Sequence, residues 1–445
     1  MLTPGIHKLI LFAGILFLSC QPSPSSINSK PSDIVTSNEN EVKHYKESYQ
    51  PPMRQKKTAF SVFFENSGSM DGYINGNTEY KDAIFKLLSD IFQQGYPTQY
   101  FIVNQEIYNL NNQVKQVQDF ISFLNPQKIR TVGNTKSTEI NKIIKMVVAS
   151  LSQENQVAMI FSDYIYSVEN NTNISNSLSE NKYSTKAILR DIVNKDYSLL
   201  VIRLSSQFKG NYYDMKHPNE GNEIDEKRPA FIWVIGPKSE LENFEKKFRI
   251  KELMGYTNAL KFISIDKISK TKYYSILNRT NKKGSFSKAD RESSVIHSIE
   301  DLRFDQRENK LQFSIALDIS HLPNGYDYFN KKNYDVYSSI GDKFEVISID
   351  PISKIDPNDN RYRGTATHII TISTSSLSKE IQKLYIGLKS HLPDWKDRFS
   401  TLDDTTPLGR KDKTFGINYL LEGVAEAFGY RSDTYFLKIS LTLQK

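Results

Sequence analysis

Between residues 58 and 265 the apolar positions switch repeatedly between a period of about two and a period of about 3.6, the marks of strand and helix. Phe60 to Phe64 is a continuous apolar run, as are Val157 to Phe161, Leu199 to Leu204 and Ala230 to Ile235. Between them, Ala83, Ile84, Leu87, Leu88, Ile91 and Phe92 fall on one helical face over Tyr80–Gln93. Ile140, Ile143, Ile144, Val147, Val148 and Leu151 form a second stripe, and helices are also expected over Thr185–Val193 and Glu240–Phe248. Tyr100–Val103 and Glu106–Leu110 read as successive strands or a hairpin. Val114, Val117, Phe120, Ile121 and Leu124 read as a short helix ended by Pro126. Strands alternating with helices predict an α/β domain with a mostly parallel central sheet. One stretch resists this. Between Leu204 and Ala230 no 3.6-residue stripe fills the place of a crossover helix. Either the strand there pairs antiparallel or the chain makes a long surface excursion, in which Tyr212 and Tyr213 are a possible partner contact.

From residue 266 the pattern changes to short strands. Leu311–Leu317 alternates clearly, and Phe344–Ile349, Thr367–Ile372, Leu384–Leu388 and Tyr435–Leu441 are similar. Turn residues separate them, which predicts a β-rich, sandwich-like domain over 266–445. One helix is expected near Thr414–Phe428. This half carries no recognisable motif, so structural support or partner contact is its expected role.

The first 57 residues follow neither pattern. Leu9 to Leu18 is an apolar run behind His7 and Lys8, too short to span a bilayer. Residues 1–19 therefore read as a signal peptide. Leu18-Ser19-Cys20 resembles the lipobox of bacterial lipoproteins, which implies lipidation (palmitate) at Cys20. Residues 20–57, rich in Ser, Pro, Asn, Lys and Glu, read as a flexible tether. The resemblance implies a lipid anchor in the cell envelope, expected at the outer membrane, with the periplasmic or surface face left open.

Composition narrows the classes further. Cys20 is the single cysteine of the 445 residues, leaving no disulfide or thiolate metal site. The net charge of +7 falls to +6 when Lys8 leaves with the signal (57 basic minus 51 acidic), a mild bias without a dense basic block. Nucleic acid is not an expected partner. The 25 Tyr and 25 Phe concentrate in strand-like runs. The seven histidines show no His-x-x-x-His spacing, no Gly-x-Ser-x-Gly elbow occurs, and no phosphate-binding glycine loop with a following lysine is present.

Three distant segments carry the candidate chemistry: Glu65-Asn66-Ser67-Gly68-Ser69-Met70 after the first strand, Gly133-Asn134-Thr135-Lys136-Ser137-Thr138 before a helix, and Phe161-Ser162-Asp163 at a strand end. Hydroxyls two residues apart, a distant threonine and a carboxylate suit a hard divalent cation. Alone, each segment also serves as a turn or a helix cap. Together they resemble the metal-ion-dependent adhesion site of von Willebrand factor A (VWA) domains, Asp-x-Ser-x-Ser, then Thr, then Asp. That resemblance implies a Rossmann-like VWA fold over 58–265. It further implies Ser67, Ser69 and Thr138 (or Thr135) as hydroxyl ligands, with Asp163 and Glu65 holding waters or the ion. Glu65 stands where the family has Asp, adding about 1.3–1.5 Å of reach. The implied cation is Mg²⁺ or Mn²⁺ ahead of Ca²⁺. The expected function is non-enzymatic binding of a protein or glycan partner that presents an acidic group. A metal-assisted ester or phosphoester hydrolase and an envelope scaffold with a vestigial site are the alternatives.

Overall fold

In the computed structural model, β1 (Ala59–Glu65) is buried on both faces, as its unbroken Phe and Val content requires. The structure describes residues 57–135, 139–151, 155–166, 173–268 and 273–445. The expected signal peptide, Cys20, most of the tether and Thr138 lie outside those residues. β1 pairs in parallel with β2 (Thr98–Val103), which turns into the short antiparallel β3 (Ile107–Asn109). On its other side β1 pairs in parallel with β4 (Gln156–Ser162). The helices between them are the one-turn α1 (Asp71–Ile74), α2 (Glu79–Gln93), α3 (Val117–Phe123), α4 (Pro126–Ile129) and α5 (Ile140–Ser150), and α6 (Ile174–Asn194) follows β4. Pro126 opens α4 rather than merely ending α3: its missing N–H falls at the first helical turn, and the Asn125 side chain accepts from the Gln127 N–H.

The expectation of a mostly parallel sheet is corrected here. β5 (Tyr197–Tyr212) and β6 (Asn222–Pro237) are consecutive 16-residue strands of one antiparallel hairpin. β6 inserts antiparallel beside β4, and β7 (Tyr256–Phe262), after α7 (Lys238–Lys247), pairs antiparallel with β5 at the edge. The seven-stranded order is β3-β2-β1-β4-β6-β5-β7, parallel only at β1–β2 and β1–β4. A hairpin needs no crossover helix, which is why the segment after Leu204 shows no helical stripe. β5 runs in the same sense as β4 and overshoots it, so the hairpin tip stands beyond the carboxyl end of the sheet.

The sheet is covered on both faces. Phe60, Val62 and Phe64 pack with Ile84 and Leu88 of α2, Phe120 of α3 and Phe244 of α7. Phe63, Ile160 and Trp233 face the other way, towards Ile143 and Ile144 of α5 and Leu189 of α6.

The remainder is β-rich. β8 (Tyr274–Ile276), β9 (Ser285–Lys288), β10 (Ser298–Arg303), β11 (Leu311–Leu317), β12 (Tyr334–Ser338), β13 (Glu345–Pro351), β14 (His368–Thr374) and β15 (Gln382–Lys389) are followed by α8 (Trp395–Arg398) and α9 (Pro407–Arg410). β16 (Ser400–Thr401) and β17 (Thr414–Phe415) flank α9, and α10 (Ile417–Ala427) and β18 (Tyr435–Leu443) close the chain. They build a five-stranded sheet, β12-β15-β18-β10-β9, and a four-stranded sheet, β13-β14-β11-β8. The two parts expected at 58–265 and 266–445 share one apolar core, in which Ile144, Leu178 and Trp233 join Phe313, Leu421 and Ile439. α10 lies along α6, where Lys182 and Lys186 pair with Glu426 at 2.8 Å. Every described residue falls in the single compact unit Lys56–Lys445. Among the described residues no helix is long and apolar enough to cross a membrane.

Candidate functional site

Adjacent parallel strands β1 and β4 end level with one another, Phe64 opposite Phe161. Glu65, which ends β1, and Ser162-Asp163, where β4 ends, therefore meet at the carboxyl end of the sheet, where open α/β sheets place their ligands. Glu65 is 2 % exposed. Its Oε1 accepts from the Ser67 N–H at 2.6 Å, and the Ser162 hydroxyl approaches Oε2 at 3.5 Å. The Ser67 and Ser69 hydroxyls are 2.9 Å apart and half-buried. Asp163 is 4 % exposed. Its Oδ1 accepts from the Ile165 N–H at 3.2 Å, while its Oδ2 is buried without a hydrogen-bond partner. The Ser69 hydroxyl is close enough to stabilise that carboxylate, though outside hydrogen-bond geometry. Glu65, Ser67, Ser69 and Asp163 are thus brought together.

Burial raises the Asp163 pKa above its usual value, against the lowering pull of Ser69, the Ile165 N–H and the Arg228 charge. Both carboxylates also act on Tyr80, whose hydroxyl is held well above its usual value, first by burial and then by Tyr73, Asp163 and Glu65. A low-dielectric site with two carboxylates and one orphaned oxygen fits a bound cation. The donors are two carboxylates and hydroxyls. Among the described residues no three His, Cys, Asp or Glu side chains cluster as ligands. The backbone turns sharply after Asp163: Tyr164 has φ of 53°, a strained value for a bulky residue, held by its ring stacking on Trp233 at 4.4 Å.

Two residues given no role in the sequence expectations hold the second segment, the threonine loop, in place. Asn66 donates to the carbonyls of Ile129 and Val132, both at 2.9 Å, and Asn104 donates to Asn66 Oδ1 and to Val132 O. Asn66 and Asn104 follow the ends of neighbouring parallel strands, and that position was the available signal. They dock the loop leading to Thr135, half-buried, against the hydroxyl loop.

The hairpin of β5 and β6 roofs the site. Phe208 packs on Gly72, where a Cβ would lie 2.5 Å from its ring, and Tyr213 covers Gly68, where a Cβ would lie 3.0 Å from its ring. Only glycine permits the first approach, and the second leaves a larger residue little room. Tyr212 is corrected as a surface contact: it is 1 % exposed, donates to Asp404 Oδ2 at 2.7 Å and carries the Arg228 guanidinium on its ring at 4.1 Å. Tyr213 is half-buried at the rim. His217, in the same connection, is bound up with Asp214, its Nδ1 3.0 Å from Oδ1. The C-terminal part clamps the hairpin through Asp404, Arg410 to Glu226 at 2.9 Å, and Arg228 to Arg410 O at 2.7 Å. Compared with protein-family models, curated proteins and solved structures, the chain matches none.

Proposed function

We propose that residues 58–265 form a VWA-like domain in which Ser67, Ser69, Asp163, Glu65 and a hydroxyl of the threonine loop, Thr138 or Thr135, hold Mg²⁺ or Mn²⁺. The cation would offer a coordination position to an acidic group of a protein or glycan partner. The protein would act without catalysis, tethered in the envelope through lipid on Cys20. One observation carries this reading: the buried, unpartnered Asp163 Oδ2 beside the paired Ser67 and Ser69 hydroxyls. Leaving a carboxylate oxygen buried and unsatisfied is costly, and a cation removes the cost. Mg²⁺ keeps waters that a partner's carboxylate can replace.

Isothermal titration of Mg²⁺ and Mn²⁺ into the protein, beside Ser67→Ala/Ser69→Ala, tests the site. Binding by the parent alone is expected; no binding by the parent would sink the metal reading. A second reading, a metal-free scaffold, draws on the Ser67 N–H already occupying Glu65 Oε1 and on the nearby Arg228 charge. It predicts no heat with either protein. Anchoring is tested apart from metal: Cys20→Ala should move the protein from the membrane to the soluble fraction.

A further inference from the structure

At the rim of the same site, Asp71 follows Ser69 by two residues and is almost fully buried. It binds Arg130, the residue that leads into the threonine loop, through the guanidinium Nε and Nη2, both directed at the single oxygen Oδ2. Asp71 Oδ1 is buried without a hydrogen-bond partner. This geometry uses one edge of the guanidinium. The other N–H groups, on Nη1 and the far side of Nη2, have no hydrogen-bond partner among the described residues, and the Arg130 side chain is 54 % exposed. Planar guanidinium groups present such an edge as a ready fork for a carboxylate.

The fork is held in place. Asn66 grips the carbonyls on both sides of Arg130, at Ile129 and Val132, so the backbone carrying it is bound to the hydroxyl loop. Tyr213, whose ring covers Gly68 between the two serines, is also close enough to act on the Arg130 charge. Tyr213 thus links the rim of the two serines, through Gly68, to the Arg130 guanidinium. An ordinary surface ion pair would leave both side chains in water and contribute little. Here the carboxylate is buried and the cation is turned outward.

We infer that Arg130 is the second anchor for the partner's carboxylate, taking the oxygen that a bound cation does not take and so selecting an anionic partner. The inference rests on the cation-site reading above. It assigns Asp71 the role of positioning residue, fixing the guanidinium so that little side-chain freedom is lost on binding.

The test titrates Mg²⁺ into the full chain with and without acetate as the carboxylate probe, at constant ionic strength set with chloride, for the parent and Arg130→Gln. The readout is the ratio of Mg²⁺ affinities with and without acetate in each protein, so a modest change in affinity for the ion alone divides out. One charge-assisted fork corresponds to an expected tightening of about tenfold by acetate in the parent, falling below about twofold in Arg130→Gln. An equal acetate effect in both proteins overturns the inference while leaving the cation site standing. Loss of all Mg²⁺ binding in Arg130→Gln also overturns it, by making Arg130 part of the cation's own site. Absence of Mg²⁺ binding in the parent removes the cation reading and the inference with it.

Discussion

At Asp163 a carboxylate is buried with one oxygen unpartnered and its pKa raised by burial. The folded state therefore binds this proton more tightly than the unfolded chain does. Its ionised form costs stability in full above the raised value, and the cost disappears as pH falls below the ordinary value of 3.8. Metal-free Asp163→Asn is expected to be more stable than the parent at pH 7, with the gap narrowing towards pH 4 in denaturant titrations. A proton and a cation compete for the same oxygen, so Mg²⁺ affinity should weaken as pH falls from 7 towards 4 in the parent. In Asp163→Asn it should fall by about 10- to 100-fold at pH 7, by calorimetry. The serines, Asp163 and Glu65 were legible because hydroxyls and carboxylates directly after apolar runs are visible in one dimension. Asn66, Asn104 and Arg130 were not, because their work is done across segments. Asn66 reads as an ordinary turn residue until the carbonyls of Ile129 and Val132 are beside it.

The hairpin of β5 and β6 is the element that gives the site its roof. Gly72→Ala would drive a methyl group into the Phe208 ring, with an expected loss of about 1–3 kcal/mol from overpacking. Tyr212→Phe leaves Asp404 Oδ2 buried without its hydroxyl donor, and should cost about 1–3 kcal/mol. Both are measured by chemical denaturation, the second with little change in Mg²⁺ affinity if the roof stays in place. β1, β4, α2 and α5 were legible from uniform apolar runs or clean helical stripes. The pairing of β5 with β6 was only half legible. Residues 207–212 and 222–228 alternate weakly because one hairpin face meets α1 and the C-terminal loop while the other meets solvent. β7 escaped notice because its inward Lys261, paired with Glu245 at 2.5 Å, interrupts the apolar signal.

On the scale of the molecule, the shared core joins what the sequence divides at residue 265. Leu178 and Leu189 of α6 belong to the same apolar cluster as Leu420 and Val424 of α10, and residues from both later sheets join them. Separate parts would unfold in separate steps; one core predicts a single cooperative transition. Trp233 in β6 and Trp395 in α8 are the chain's two tryptophans, so single-tryptophan variants (Trp395→Phe and Trp233→Phe) report on each part. Their fluorescence transitions in denaturant should coincide with each other and with far-UV circular dichroism. Two separated midpoints would show that the parts are thermodynamically independent.

Where the described chain enters this body has a mechanical consequence. Lys57 lies against Tyr96 and Gly95, and the Phe60 N–H is bonded to Pro97 O at 2.8 Å, all at the start of β1. Glu65 forms the other end of the same strand, and the serines follow it. A load applied to the incoming chain and resisted by something gripped at the site would therefore run lengthwise through β1, over roughly 23 Å. Its ladders to β2 and β4 would be sheared together instead of peeled one bond at a time, and the strand that presents the site would be the last to yield.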